Sequence, residues 1–358
     1  MKRRLAMVML LGCVSLWAHH SMSAVYNDAV LVTISGAVTK FEWANPHVWV
    51  AVEAAGGSWD VEFASRSELR RAGWTGESLH VGDVVTVTGS RARDGKRTAH
   101  GKTLTITGGA KLSEAGAPSA VAKSGKAAPK WPNGHVRLGA EPGQAGYWAN
   151  PSKAAMYETS AGVLRMNAEG ILTNIADAAK VAPFQPWAKA LYEYRQRTLL
   201  KDDPMAACLP AGGPRQFQAA LGVQILEDPD RARVFVLARG SNRNWRNIDL
   251  DGRVIPNNED VTPSFFGYSV GKWEGDTLVV QTTGLAERFW FSNGGVPHGE
   301  GMKLTERISR PDYDTLRYEV TMDDPGTYTR PWTATWDLQW IAGDDVDEYY
   351  CDDNNREK

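Results

Sequence analysis

Hydrophobic and polar positions alternate with a period of two along most of this chain, the pattern of half-buried β-strands rather than helices. Val32-Thr33-Ile34-Ser35-Gly36-Ala37-Val38 begins a strand that reaches Trp43. Asn45-Pro46 interrupts it, and His47 to Val52 alternates as a second strand. After a Gly56-Gly57 turn, Ser58 to Phe63 makes a third. Ser65 to Arg71 breaks the alternation and reads as a short helix, with Ser65 as cap, Glu68 three residues on and Gly73 as stop. Val84 to Gly89 and Thr103 to Thr107 complete a β-β-β-α-β-β order. That order suits an OB-like five-stranded barrel over residues 19–109.

From 110 to 144 apolar periodicity disappears among Ala, Gly, Ser, Pro and Lys, and this stretch is expected to be a flexible linker. Residues 145–358 form the second expected domain, opening on a helical lead-in at Pro186 to Arg195 with proline in its first turn. Beyond Cys208 the strands return: Val234 to Leu237, then Trp245 to Leu250 ending at a hairpin dipeptide, Asp251-Gly252. Thr277 to Thr282 follows the turn Trp273-Glu274-Gly275-Asp276, and Leu316, Tyr318, Val320 and Met322 alternate with polar residues. In the most regular strand Trp332, Ala334, Trp336, Leu338 and Trp340 share one face. The fold class is therefore mainly β, a small OB-like barrel followed by a larger antiparallel barrel or sandwich.

The first residues change the picture from fold to location. Lys2, Arg3 and Arg4 precede an apolar run from Leu5 to Trp17, with Ala18 at a cleavage position. This is the layout of a secretory signal peptide over residues 1–18, and the run is too short for a permanent membrane helix. Leu10-Leu11-Gly12-Cys13 offers a competing lipoprotein site. No later stretch reaches the roughly 18 apolar residues of a membrane span. A periplasmic or secreted protein is expected, and removing the three basic residues shifts its formal charge from −2 to −5. Mild acidity and export together argue against a nucleic-acid partner. With Cys13 gone, Cys208 and Cys351 are expected to pair in an oxidising compartment.

His19-His20-Ser21, Glu42-Trp43-Ala44-Asn45-Pro46-His47 and Val81 to Gly89 resemble a family of exported bacterial proteins of unknown function. Cys208 to Arg215, Gly271 to Val280, Thr305-Glu306-Arg307 and Asp324 to Trp332 resemble a companion region in similar exported proteins. The resemblance implies export and brings no activity with it.

Three constellations are candidates for chemistry. Cleavage after Ala18 would free His19 to offer its α-amino and ring nitrogens to one metal ion, with His20 adjacent and His47 as a further imidazole. Such nitrogen donors suit copper, and the arrangement resembles exported copper proteins that begin with histidine. The competing reading leaves His47 hydrogen-bonded to backbone and the terminal histidines in solvent. In the second domain His298, with Glu306 and Asp323, is the candidate acid–base set for a hydratase, lyase or isomerase. Ordinary surface pairing competes with it. Trp332, Trp336, Trp340, Tyr328 and Arg307 are candidates to line a small-molecule site, against a reading in which the aromatic face fills the core. Gly267 to Gly271 matches the Gly-x-Ser-x-Gly elbow of hydrolases but leads into a turn and a strand, so it reads as a glycine turn. The acidic tail around Asp344 to Glu348 lacks the spacing of a calcium loop and reads as solvated surface. A binding or accessory protein is the leading expectation from sequence.

Overall fold

A computed structural model describes residues 21–113, 123–149, 156–218, 222–238, 244–345 and 350–351. The expected leader, His19 and His20 lie outside the described residues. A single helical turn, α1 (Met22–Val25), leads into β1 (Tyr26–Glu42), β2 (Val48–Ala54) and β3 (Gly57–Phe63). Helix α2 (Arg66–Arg71) follows, then β4 (Val84–Ala92), β5 (Thr98–Ile106) and the short β6 (Lys111–Ser113).

The sheet runs β3-β2-β1-β4-β5-β6, and a parallel β3–β5 pairing curls it shut. Five strands thus close a ring with α2 between β3 and β4, the arrangement expected of an OB-type barrel. Strand β1 serves both neighbours because a register shift between Val38 and Lys40 bends it. Gly36 lies at the tightest approach, where a Cβ would fall 1.9 Å from the Glu53 carbonyl oxygen. The Ser65 side chain and Glu68 close the capping box on α2. Ile34, Val50, Val52, Val61, Val85 and Leu104 fill the interior with Phe63 and Trp74.

The second barrel begins with β7 (Gly146–Ala149) and then leaves the sheet for a long excursion. This carries α3 (Ala178–Val181) and α4 (Pro186–Arg197), the latter beginning at Pro186 as the sequence predicts. The wall resumes with β8 (Val223–Asp228), β9 (Arg233–Ala238) and β10 (Trp245–Asp249). It continues through β11 (Tyr268–Glu274), β12 (Thr277–Thr283), β13 (Lys303–Asp312), β14 (Thr315–Asp323) and β15 (Trp332–Ala342), which pairs with β7 to close the ring.

Nine strands in sequence order cannot all be antiparallel around a closed ring, because an odd circuit forces one pair of neighbours to point the same way. That pair is β10–β11, joined through Asp249 and Val270. Asp251-Gly252 is therefore not a hairpin turn, contrary to the expectation from its composition. The chain travels from 250 to 267 before β11 starts on the same heading.

Part of the stretch expected to be a linker is fastened to this barrel. Val136 and Leu138 are buried in its core, and the Trp148 indole donates to the Leu138 carbonyl at 2.8 Å. The Cys208–Cys351 disulfide is present, with Cα atoms 5.6 Å apart. Among the described residues no helix is long and apolar enough to cross a membrane.

Candidate functional site

Strand alternation on the first barrel sends Val61 and Phe63 into the core and leaves Glu62 between them on the outer wall. Glu62 is nevertheless only 1 % exposed, because the start of β1 covers it. The Tyr26 hydroxyl donates to Glu62 Oε2, and His47 Nδ1 forms an ion pair with Glu62 Oε1. Across the β3–β5 pairing Glu62 stands in register with His100, whose ring lies 5.6 Å from that of Tyr26. Just before β2, Asn45 Oδ1 accepts the Arg66 backbone N–H at 3.2 Å and ties the His47 loop to α2.

Burial works against a charged His47, but the Glu62 carboxylate beside it prevails and holds the imidazole pKa above its ordinary value. The His47 side chain keeps 23 % of its surface exposed, so an ion from solvent can reach it. Two histidines, a buried carboxylate and a tyrosine thus share one patch on the outer wall. Among the described residues no three His, Cys, Asp or Glu side chains come together as a complete metal cage.

Residues 8–102 match the family of unknown function DUF6152. The DUF6152 match contains Tyr26, Asn45, His47, Glu62 and His100, and stops before the second barrel. No curated protein and no solved structure matches the chain.

Outside the DUF6152 match, the candidate residues of the second barrel fall into separate settings. Glu306 is wholly buried inside the barrel, opposite Arg246. Arg246 Nη1 donates to Glu306 Oε1 at 2.8 Å, Nε to Ser269 Oγ at 2.9 Å and Nη2 to Thr282 Oγ1 at 2.6 Å. The Tyr318 hydroxyl donates to the same carboxylate. Burial opposes the Glu306 charge, and the guanidinium overrides it, holding the carboxyl below the ordinary range. Ser269, the serine of the Gly-x-Ser-x-Gly pattern, is thus part of a buried ion-pair layer on a strand.

His298 is 6 % exposed between Phe289 and Phe291, with ring centroids at 4.6 and 4.7 Å, and its Nε2 faces the Phe289 carbonyl at 3.1 Å. Burial pushes its pKa down to about 4. Asp323 is exposed at the end of β14, opposite Lys303, while Asp324 turns inward toward His298. The structure therefore gives His298, Glu306 and Asp323 three different sets of partners.

The aromatic candidates lie in the core. Trp332, Trp336, Trp340 and Tyr328 are 2 %, 8 %, 5 % and 1 % exposed. Beside them the segment Gly213–Phe217 plugs the barrel. Phe217 stacks on Tyr318 at 4.2 Å, and its carbonyl accepts the Trp336 indole N–H at 3.2 Å. Tyr328 donates to the Pro297 carbonyl at 2.7 Å. Arg307, one residue from Glu306 and so on the opposite face, reaches Glu274 outside the wall at 3.1 Å.

Glu62, Tyr26 and His100 are the residues that sequence reasoning missed. The available signal is a carboxylate in an otherwise apolar strand end, Val61-Glu62-Phe63, two strands from a histidine.

Proposed function

We propose that this chain is an exported accessory protein that binds a copper ion on the outer wall of its first barrel. His47 supplies one nitrogen, and His19, freed by cleavage after Ala18, supplies its ring and α-amino nitrogens. The observation that carries this reading is the buried Glu62 carboxylate, anchored by Tyr26 and paired with His47 Nδ1. A carboxylate behind an imidazole fixes the ring and makes the opposite nitrogen, Nε2, the more basic donor, the usual backing of a metal-bound histidine.

Chain geometry supports the same reading. The polypeptide joins the barrel at Tyr26, seven residues after His19, and Tyr26 touches the Glu62 that backs His47. Met22–Val25 form a helical turn, so these seven residues span about 15 Å, a reach that still covers the patch around Tyr26. We include His100, whose backbone is in register with Glu62, as a third candidate imidazole. An all-nitrogen set favours Cu(II) over the other first-row divalent ions.

The test is metal analysis of the full chain recovered from the periplasm with its native terminus, together with intact mass to fix the cleavage point. About one copper per chain is expected, lost in His47→Ala. Glu62→Gln should weaken binding by roughly 10- to 100-fold, the usual effect of removing a carboxylate that backs a metal-bound histidine. Copper content unchanged in His47→Ala would sink the assignment.

A further inference from the structure

A second cluster, remote from the copper patch in sequence and made of oxygen atoms, sits where the loop 297–302 passes under the β14–β15 turn. Asp324 is 3 % exposed. Among the described residues its carboxylate accepts one hydrogen bond, from the Gly299 N–H to Oδ2 at 2.8 Å, and has no cationic partner within ion-pair distance. A buried carboxylate so poorly compensated is unusual. Glu287, beyond β12, accepts the Glu300 N–H at 3.1 Å from the neighbouring position of the same loop.

Thr327 supplies the independent observation. Its side chain is wholly buried, and Oγ1 has no hydrogen-bond partner. A hydroxyl in that state costs stability unless something fills its vacant lone pairs. All three groups converge on one point of backbone. A Cβ at Gly299 would meet Asp324 Oδ2 at 3.4 Å, Glu287 Oε1 at 3.4 Å and Thr327 Oγ1 at 3.6 Å. Gly301 and Gly326 border the other carboxylate oxygen, Asp324 Oδ1, at 3.6 and 3.4 Å by the same measure. Glycines on both sides leave the carboxylate open to a small occupant.

We propose that Asp324, Glu287 and the Thr327 hydroxyl hold a calcium ion against the Gly299–Gly301 loop. The donors are all oxygen, the ligand type of a hard cation, and Ca²⁺ tolerates the irregular geometry of three separate segments better than Mg²⁺ does. Both nitrogens of the nearby His298 face backbone carbonyls, Nε2 that of Phe289 at 3.1 Å and Nδ1 that of Gly299 at 3.4 Å, so the cluster's donors are oxygens. Glu287 is exposed and opens the site to solvent, from which waters complete the coordination. Calcium would fasten the His298 loop to the β14–β15 turn.

The experiment follows thermal unfolding and calorimetric binding of the EDTA-stripped full chain as CaCl₂ is added. Binding in the range of about 10⁻⁴ to 10⁻³ M is expected for a site with two carboxylates, with a rise in Tm at 10 mM. Glu287→Gln should weaken it at least tenfold, and Asp324→Asn should abolish it. Thr327→Val is the decisive variant, because deleting an unpaired hydroxyl leaves the calcium-free protein at least as stable as before. Loss of its calcium response with that stability intact supports the site. A full calcium response in Thr327→Val, or none in the unaltered chain, overturns it. Neither result bears on copper at His47.

Discussion

Inside the second barrel two ionisable side chains survive burial by opposite routes. Glu306 keeps its charge because Arg246, Thr282 and Tyr318 surround it with donors. His298 sheds its proton, since Phe289 and Phe291 flank the ring, and the Gly299 and Phe289 carbonyls with Asp324 offset only part of the loss of water. The unfolded chain therefore takes up a proton at His298 before the folded one does. Stability from this residue is complete above about pH 6.5 and drains away as the pH falls toward 4. The loss amounts to about 2 kcal/mol by pH 4.5. Urea unfolding of the unaltered chain and of His298→Asn at pH 7 and 4.5 should show that the histidine protein loses this much more than the asparagine one. Equal losses would mean that His298 is hydrated. Residue parity was legible in advance here. Met322 points inward, so Asp323 points out and Asp324 in, and the choice of Asp323 as a partner for His298 neglected the alternation of its own strand.

At the scale of elements, the plug Gly213–Phe217 decides what the aromatic strand β15 is for. Trp336 and Tyr318 face Phe217 rather than an open lumen, and Gln216 holds the plug to the wall by donating to the Val236 carbonyl at 3.2 Å. Phe217→Ala should cost about 3–5 kcal/mol, as expected for emptying a packed aromatic site. Chemical denaturation measures it, and a cost near zero would mean that the barrel closes without the plug. Strands with regular alternation were legible one by one, from β4 and β12 to β15, as was the capped helix α2. The plug was not, because Gly-Pro-Arg-Gln-Phe has no period and is buried wholesale. Nor was the fastening of residues 123–144, which rests on Val136, Leu138 and backbone carbonyls in an otherwise featureless composition. The Asp251-Gly252 turn misled for a different reason. Local turn chemistry is blind to the number of strands in the finished ring.

Over the whole molecule, two hydrophobic cores meet across polar contacts. Arg71 reaches the Tyr147 hydroxyl at 2.6 Å, and Glu169 accepts the Ser23 N–H at 3.0 Å and the Ser21 hydroxyl at 3.2 Å. Neither core shares a residue with the other. Scanning calorimetry should accordingly resolve two unfolding transitions. Reducing Cys208–Cys351 should lower only the one belonging to the second barrel, by about 2–5 kcal/mol. A single transition that moves as a unit on reduction would show the two cores to be energetically fused.

The odd strand count carries one last consequence. A cask with nine staves laid head to tail has one joint where two run the same way, and here that joint is held by a single paired position, Asp249 with Val270. Among the described residues only the β7–β8 joint is as thin, meeting at Trp148 and Val223, so thermal breathing starts along these two lines. Arg246 sits beside the β10–β11 joint on β10 and reaches across to Ser269 on β11, Thr282 on β12 and Glu306 on β13. The buried ion pair thereby serves as a rivet, closing with side chains a gap that the backbone leaves almost unsewn.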